Sequence, residues 1–391
     1  MTTELPSSGP QRIDSIDIMR GAVMVIMALD HVRDMFSITP FPPEDVTQTT
    51  IAFFLTRWIT HFCAPTFVFL AGVGVFLYQA RGRTKGETAK FLLTRGLWLI
   101  ILEMIWVNPS WGPVYYRGFM FVQVIWAIGW SMIILAGLIW LPRIVVASIA
   151  LAMILGHNLL DGVRPEEFGS LAPLWGLLHQ QYFIPMSETF GLFVIYPLIP
   201  WIGVMAAGYV VGMYFKQPAE ERKRALMTLG AIAVSLFVLL RLTNFYGDPN
   251  PWLQQERGEI FSFFSFLNAS KYPPSLLFLC MTIGPVLLFL PALERGKGRL
   301  ANFFVTFGRV PFFFYMLHVG IIHLLAIIWW YPRFGSIGWW FGNPENYPAG
   351  YEPNLFLAYS VWAVVIMIMY ILCRWFVGVK RRRKEWWLSY L

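Results

Sequence analysis

Residues 12–36 read RIDSIDIMRGAVMVIMALDHVRDMF, and the reading of this stretch decides the fold. It is apolar for long enough to suit a membrane, yet it carries Asp17, Arg20, Asp30, His31 and Asp34. A spanning helix needs about 20 largely apolar residues. A charge at its centre costs roughly 2.5–3.5 kcal/mol on insertion scales, so charges kept there need a reason. The rest of the chain says which solvent the stretch meets. Of 391 residues only 13% are charged, about half the share usual in soluble proteins, while 57% are apolar or aromatic. Mean hydropathy is +0.57. A soluble enzyme, a disordered chain and a nucleic-acid-binding protein are all poor fits. The composition is that of a polytopic membrane protein.

Ten apolar runs are predicted to span, near 14–36, 52–79, 91–108, 119–141, 144–160, 189–215, 224–245, 274–293, 305–331 and 355–378. The run 144–160 is the shortest and marginal. With the N-terminus inside, 21 of the 30 Lys and Arg fall on the cytoplasmic side, among them Arg81, Arg83, Arg95, Lys216 and the run 380–384. Six fall outside (Arg33, Arg117, Arg164, Arg257, Lys271 and Arg333), and Arg20, Arg57 and Arg241 lie within spans. Loop Lys/Arg bias sets topology, so both termini are expected in the cytoplasm. The same bias accounts for the net charge of +8 without nucleic acid. The expected fold is an all-α transmembrane helix bundle of about ten spans. Its parts are a polar leader at 1–13 in place of a cleavable signal peptide, a membrane domain at 14–378 and a basic tail at 379–391. The longer external loops, about 160–188, 246–273 and 332–354, are rich in aromatic residues, which suits an interfacial belt or a lid over an external site. Cys63, Cys280 and Cys373 sit in apolar runs as small core residues. The pair Gly72 and Gly74 suits close helix packing.

At 100° per residue, Arg20 and His31 lie only about 20° apart around the first helix, separated by roughly 16 Å of rise. Asp17, Arg20, Gly21, Met24, Ala28 and His31 therefore form one stripe, polar at its ends and small or flexible between. Asp17 and Arg20 also suit a simple i,i+3 ion pair, and His31 a hydrogen-bonded histidine of the bundle. A buried histidine beside Asp30 or Asp34 is equally a good general base. In the second span Arg57 and His61 share a face, and Pro65 removes the N–H that would bond the carbonyl of His61, so the helix is expected to open there. Glu103 of the third span needs a cation or must stay neutral, with Arg241 as one candidate partner. The ninth span carries Arg309, Tyr315, His318 and His323. No pair of histidines has metal-ligand spacing, so no metal site is expected.

Asp-x-x-Arg-Gly with a histidine eleven residues after the arginine resembles the first helix of membrane acyltransferases, including the acyltransferase-3 type. The stretches IDIMRGAVMVIMALDHVRDMF, TRWITHFCAPTFVFLAGVGVFL, LLTRGLWLIILEMIWVN and FGRVPFFFYMLHVGIIHLLA together resemble the bacterial relatives of heparan-alpha-glucosaminide N-acetyltransferase. The resemblance implies an integral enzyme of the bacterial inner (cytoplasmic) membrane. It would move an acyl group, most simply acetyl, from cytoplasmic acyl-CoA to a hydroxyl or amine of an external glycan. The lysosomal member of the family carries a proposed catalytic histidine in the outer loop ahead of its second helix. Residues 32–60 here contain no histidine, and His31 stands nearest that place. His31, Asp30 and His61 are then the catalytic candidates, with His31 as base. Asp17, Arg20 and Arg95 are candidates for the acyl-CoA donor, since guanidinium groups bind phosphates by charge and paired hydrogen bonds. Arg57, Glu103 and His318 are candidates for the acceptor. Acetyl-CoA, membrane lipid and a sugar acceptor are the expected partners, and a homo-oligomer is compatible with the sequence. The alternative is a proton-coupled or solute transporter that uses the same buried ionisable residues.

Overall fold

The computed structural model describes residues 14–112, 118–341, 344–383 and 385, so the leader 1–13, Arg117 and most of the tail lie outside the described residues. A helix stands on each of the ten apolar runs. They are α1 (Asp14–Phe36), α2 (Ile51–Thr60) continued by α3 (Cys63–Gln79), α4 (Lys85–Leu102), α5 (Val124–Leu138), α6 (Arg143–Gly156), α7 (Leu198–Val211), α8 (Ala219–Thr243), α9 (Leu276–Leu293), α10 (Arg299–Gly308) leading into α11 (Pro311–Phe334), and α12 (Leu355–Arg382). Among the described residues, eight helical stretches are long and apolar enough to cross a membrane. They include Arg143–Leu160, the run that is marginal by sequence. α5, with 15 residues, is shorter than any of these eight stretches. α1 is long enough but exceeds the charge that such a stretch carries.

Burial is inverted relative to a soluble protein. α1, with six charged side chains, buries 17 of its 23 residues and packs against α2, α3 and α9 to α12. The strongly apolar α8 and α12 lie at the periphery, each with 22% of its span buried. Large side chains such as Phe356 (82% exposed) and Leu239 (63%) face outward. Lipid tolerates an apolar helix on all sides, whereas ionisable groups are confined to the protein interior. The charges that made residues 12–36 ambiguous as a span are what place it at the centre.

Glycines let α1 sit there. A Cβ on Gly21 would overlap the backbone carbonyl of Phe304, and one on Gly308 would overlap the carbonyl of Asp17, so α1 and α10 cross backbone to backbone. Gly72 and Gly208 bring α3 and α7 together in the same way. Gly74 has another use, leaving room for the Arg20 guanidinium, whose Nη2 lies 3.1 Å from the position of a Cβ there. Gly21→Ala should therefore lower stability by roughly 1–3 kcal/mol through overpacking. Gly137→Ala on α5, where nothing lies within 4 Å, should be neutral or mildly stabilising. Thermal unfolding of both variants in one detergent checks the contrast, and equal midpoints would remove the close crossing as a stability determinant.

Two features depart from an uninterrupted all-helical bundle. The second span opens at His61 and Phe62, between α2 and α3, as the missing N–H of Pro65 demands. A small sheet also forms from β1 (Phe119–Val122), β2 (Tyr182–Pro185) and β3 (Gly191–Val194), in the order β1-β3-β2, with β1 parallel and β2 antiparallel to β3. The run 119–141 thus starts as a strand and becomes helical only at Val124. Asn108 holds that strand, since its Nδ2 donates to Phe121 O at 2.9 Å and its Oδ1 accepts from Phe121 N at 2.7 Å. Hydropathy does not distinguish FMFV as a strand from FMFV as helix, because both are apolar.

Candidate active site

Two cavities lie along the α1 stripe. The first, about 860 Å³, is lined by Asp17 and Arg20 of α1, by Arg81 and Arg95 flanking and within α4, and by Lys216. The second, about 530 Å³, is lined by Asp30, His31 and Arg33 of the same helix, with Arg57, Lys271 and Trp340. Phe67, Val124 and Tyr315 line both. Those three side chains are the shared wall, and they come from α3, α5 and α11. The stripe inferred from helical geometry therefore connects two chambers, with the arginine in one and the histidine in the other.

Arg20 anchors its end of the first cavity by donating from Nη2 to the carbonyl of Leu70 at 2.8 Å. Arg95 stacks its guanidinium 5.8 Å from the ring centre of Phe91. Four cations, Arg20, Arg81, Arg95 and Lys216, face Asp17 in this chamber, an excess of positive charge suited to a polyanionic ligand. Arg81 and Lys216 belong to the inner basic loops, and both are exposed side chains that the tertiary structure sets in the lining of this cavity.

The second cavity is built on a charge cluster. Asp30 accepts from Arg57 Nη1 at 2.7 Å and from Arg33 Nη2 at 3.1 Å. Arg33 also donates to Asp34 at 2.5 Å, and Glu44 lies 3.5 Å from Arg57 Nε. Lys271 adds a third cation, 9% exposed, on the turn where Lys271 bridges Pro274. Buried charges are tolerated when paired and hydrogen-bonded, and here three carboxylates face three cations. Glu44, in the loop between α1 and α2, shows the balance. Burial pushes its carboxyl up, but Arg57, a backbone hydrogen bond and Arg33 outweigh that and hold it below the usual carboxylate range. Asp30 is thus taken up by two arginines.

His31 lines this cavity with its ring edge-on to Trp111 at 4.8 Å and tilted against His318 at 5.2 Å. His318 is fully buried behind it, with Nδ1 facing the carbonyls of Tyr315 at 2.8 Å and Phe314 at 3.1 Å. His61 is 2% exposed and packs 5.4 Å from Phe278, outside the lining of either cavity. Glu103 is also fully buried away from both, in a π-helical turn, Glu103–Val107, beside the backbone amides of Gln123 and Trp126. Arg241 is not its partner, contrary to one reading of the sequence. That guanidinium donates to the carbonyls of Asn250, Ser265, Phe266 and Asn268 at 2.7–3.0 Å and clamps the loop after α8. Four carbonyls satisfy the planar fork of donors locally, so no carboxylate across the bundle is needed.

Of the residues singled out by sequence, the structure thus gathers Asp17, Arg20 and Arg95 at one chamber and Asp30, His31 and Arg57 at the other. Residues 12–242 match the sequence profile described as heparan-alpha-glucosaminide N-acetyltransferase, catalytic. The chain belongs to that family. A comparison with curated proteins finds no match. As a member of the heparan-alpha-glucosaminide N-acetyltransferase family with several long apolar helices, the chain is a multi-pass membrane acetyltransferase. Lys271, Trp340 and His318 lie beyond the matched residues. Lys271 read only as an external loop charge, whereas Trp340 belongs to an aromatic loop that suited either an interfacial belt or a lid over an external site.

Proposed function

We propose that the chain carries an acetyl group across the membrane, from acetyl-CoA held in the first cavity to a hydroxyl or amine of a glycan-type acceptor held in the second. The observation that carries this reading is the pair of cavities on one helix face, with Phe67, Val124 and Tyr315 in the lining of both. The basic chamber lies at the end of α1 whose neighbouring loops hold the Lys/Arg excess, which supports reading that side as cytoplasmic. Residues 14–378 then form one catalytic membrane unit in which α1 and α5 cross together with the other eight.

Within it, Arg20, Arg81, Arg95 and Lys216 bind the phosphates of the donor. The thioester arm extends past Tyr315 toward His31. There His31 removes the proton of the acceptor as it attacks the thioester carbonyl, and the thiolate of CoA leaves. Asp30, Arg33 and Arg57 hold the chamber's shape and charge, and Lys271 faces the negative charge that develops on the carbonyl oxygen.

Two measurements test the reading. Acetyl-CoA should raise the thermal midpoint of the purified protein, since a ligand that binds only the native state stabilises it. Radiolabel from acetyl-CoA should then pass to glucosamine in reconstituted vesicles. Arg95→Gln removes one charged donor, worth about 1.5–3 kcal/mol, and should raise KM for acetyl-CoA roughly 10- to 100-fold with kcat little changed. Solute flux without any dependence on acetyl-CoA would replace this reading with a transporter.

A further inference from the structure

His31 and His318 present two buried ring nitrogens that the proposed reaction leaves without a role. Nδ1 of His318 faces the carbonyl oxygens of Phe314 and Tyr315, one turn back on its own helix. A carbonyl can only accept, so this nitrogen carries the proton. In a neutral imidazole the other nitrogen, Nε2, is then an acceptor. That Nε2 is buried and has no hydrogen-bond partner among the described residues. Nδ1 of His31 is in the same condition, buried and unpartnered. The two rings stand 5.2 Å apart between centres at a tilt of 52°. An unsatisfied buried acceptor is costly, and a donor one ring away relieves it.

We propose that His318 is the positioning residue for His31: its Nε2 accepts the Nδ1–H of His31 and so holds His31 in the tautomer whose Nε2 lone pair faces the acceptor cavity. This rests on the reading of His31 as general base. The pairing does for His31 what a carboxylate does for the base in other hydrolytic and transfer sites, fixing both tautomer and ring orientation. Asp30, the adjacent carboxylate, is engaged elsewhere, with Arg33 and Arg57 donating to its two oxygens. Among the described residues the other ring in contact with His31 is the indole of Trp111, whose Nε1–H is also buried without a partner. Donation from Trp111 would make Nδ1 of His31 the acceptor and leave its Nε2 protonated, a donor toward the cavity and no base. The acceptor capacity of His318 and the chemistry of His31 select the same arrangement. In the apo state such contacts are often long and tighten once substrate is bound.

The test uses full-length protein in nanodiscs with ¹⁵N-labelled histidine. The His31 resonances, assigned by their loss in His31→Ala, should report a protonated Nδ1 and an unprotonated Nε2. His318→Leu should scramble that tautomer and lower kcat for acetyl transfer to glucosamine roughly 10- to 100-fold, with KM for acetyl-CoA unchanged. His318→Gln, whose amide oxygen can accept in place of Nε2, should restore the tautomer and most of kcat. A wild-type His31 protonated at Nε2 would overturn the proposal in favour of Trp111. So would a His318→Leu variant with unchanged tautomer and turnover. If His318→Leu fails to fold, the wild-type spectrum and the Gln variant still decide. Normal turnover in His31→Ala would instead sink the general-base reading, while the tautomer measurement would stand by itself.

Discussion

His31→Ala is expected to lower acetyl transfer by about 10²- to 10⁴-fold, the range over which a positioned general base contributes. The protein should stay folded and inserted. His31 makes ring contacts but no hydrogen bond or ion pair among the described residues, so its removal opens space beside an existing cavity and breaks no paired charge. Binding of acetyl-CoA in the other chamber should persist, because Phe67, Val124 and Tyr315 stand between. The informative experiment measures both, labelled transfer to glucosamine and thermal stabilisation by acetyl-CoA, on one preparation. Lost transfer with intact stabilisation places His31 at the chemical step. Near-normal turnover removes it from the mechanism.

Arg57→Met is expected to act on stability first. Arg57 donates to Asp30 at 2.7 Å and lies 3.5 Å from Glu44, and its own residue is 9% exposed. Removing one partner of a buried ion pair typically costs about 3–5 kcal/mol, because the remaining charge stays buried without compensation. Here Asp30 would keep only Arg33, and Glu44 would lose the cation that most offsets its burial. Asp30→Asn combined with Arg57→Met should recover part of the loss, since the double variant strands less charge than the single one. Thermal midpoints of the two singles and the double decide the matter, and strict additivity would show that the pair is not coupled. The sign of the pH dependence follows from Glu44. Its folded pKa is depressed, so its contribution is present above the ordinary carboxylate range and lost as pH falls through the lowered value. Wild-type stability should fall on acidification more steeply than that of Arg57→Met.

Much of the architecture was legible in the chain. Each of the ten hydropathic runs holds a helix, and α1 begins and ends where residues 14–36 were read. The pairing of Arg20 with His31 on one stripe followed from 3.6 residues per turn alone, and both side chains do line cavities. The break at His61 followed from Pro65. What periodicity could not supply was partnership. Arg33 and Lys271 counted only as loop charges, because a sequence shows on which side of the membrane a cation falls, not whether it turns inward. Conversely, His61 and Glu103 stood out as ionisable groups in apolar surroundings, yet neither is in the lining of the two cavities described.

The division has a physical basis. Helix geometry and the cost of charge in lipid act locally, so residues 14–36 by themselves determined a helix whose charged face must be enclosed, and with it the identity of the central helix. Ion pairs, shared cavity walls and the tautomer of a histidine depend on contacts between residues far apart in the chain. Asp30 meets Arg57 across 27 positions, and His31 meets His318 across 287. Only the tertiary structure decided that Asp30 serves the arginines and that the ring of His318 packs against that of His31.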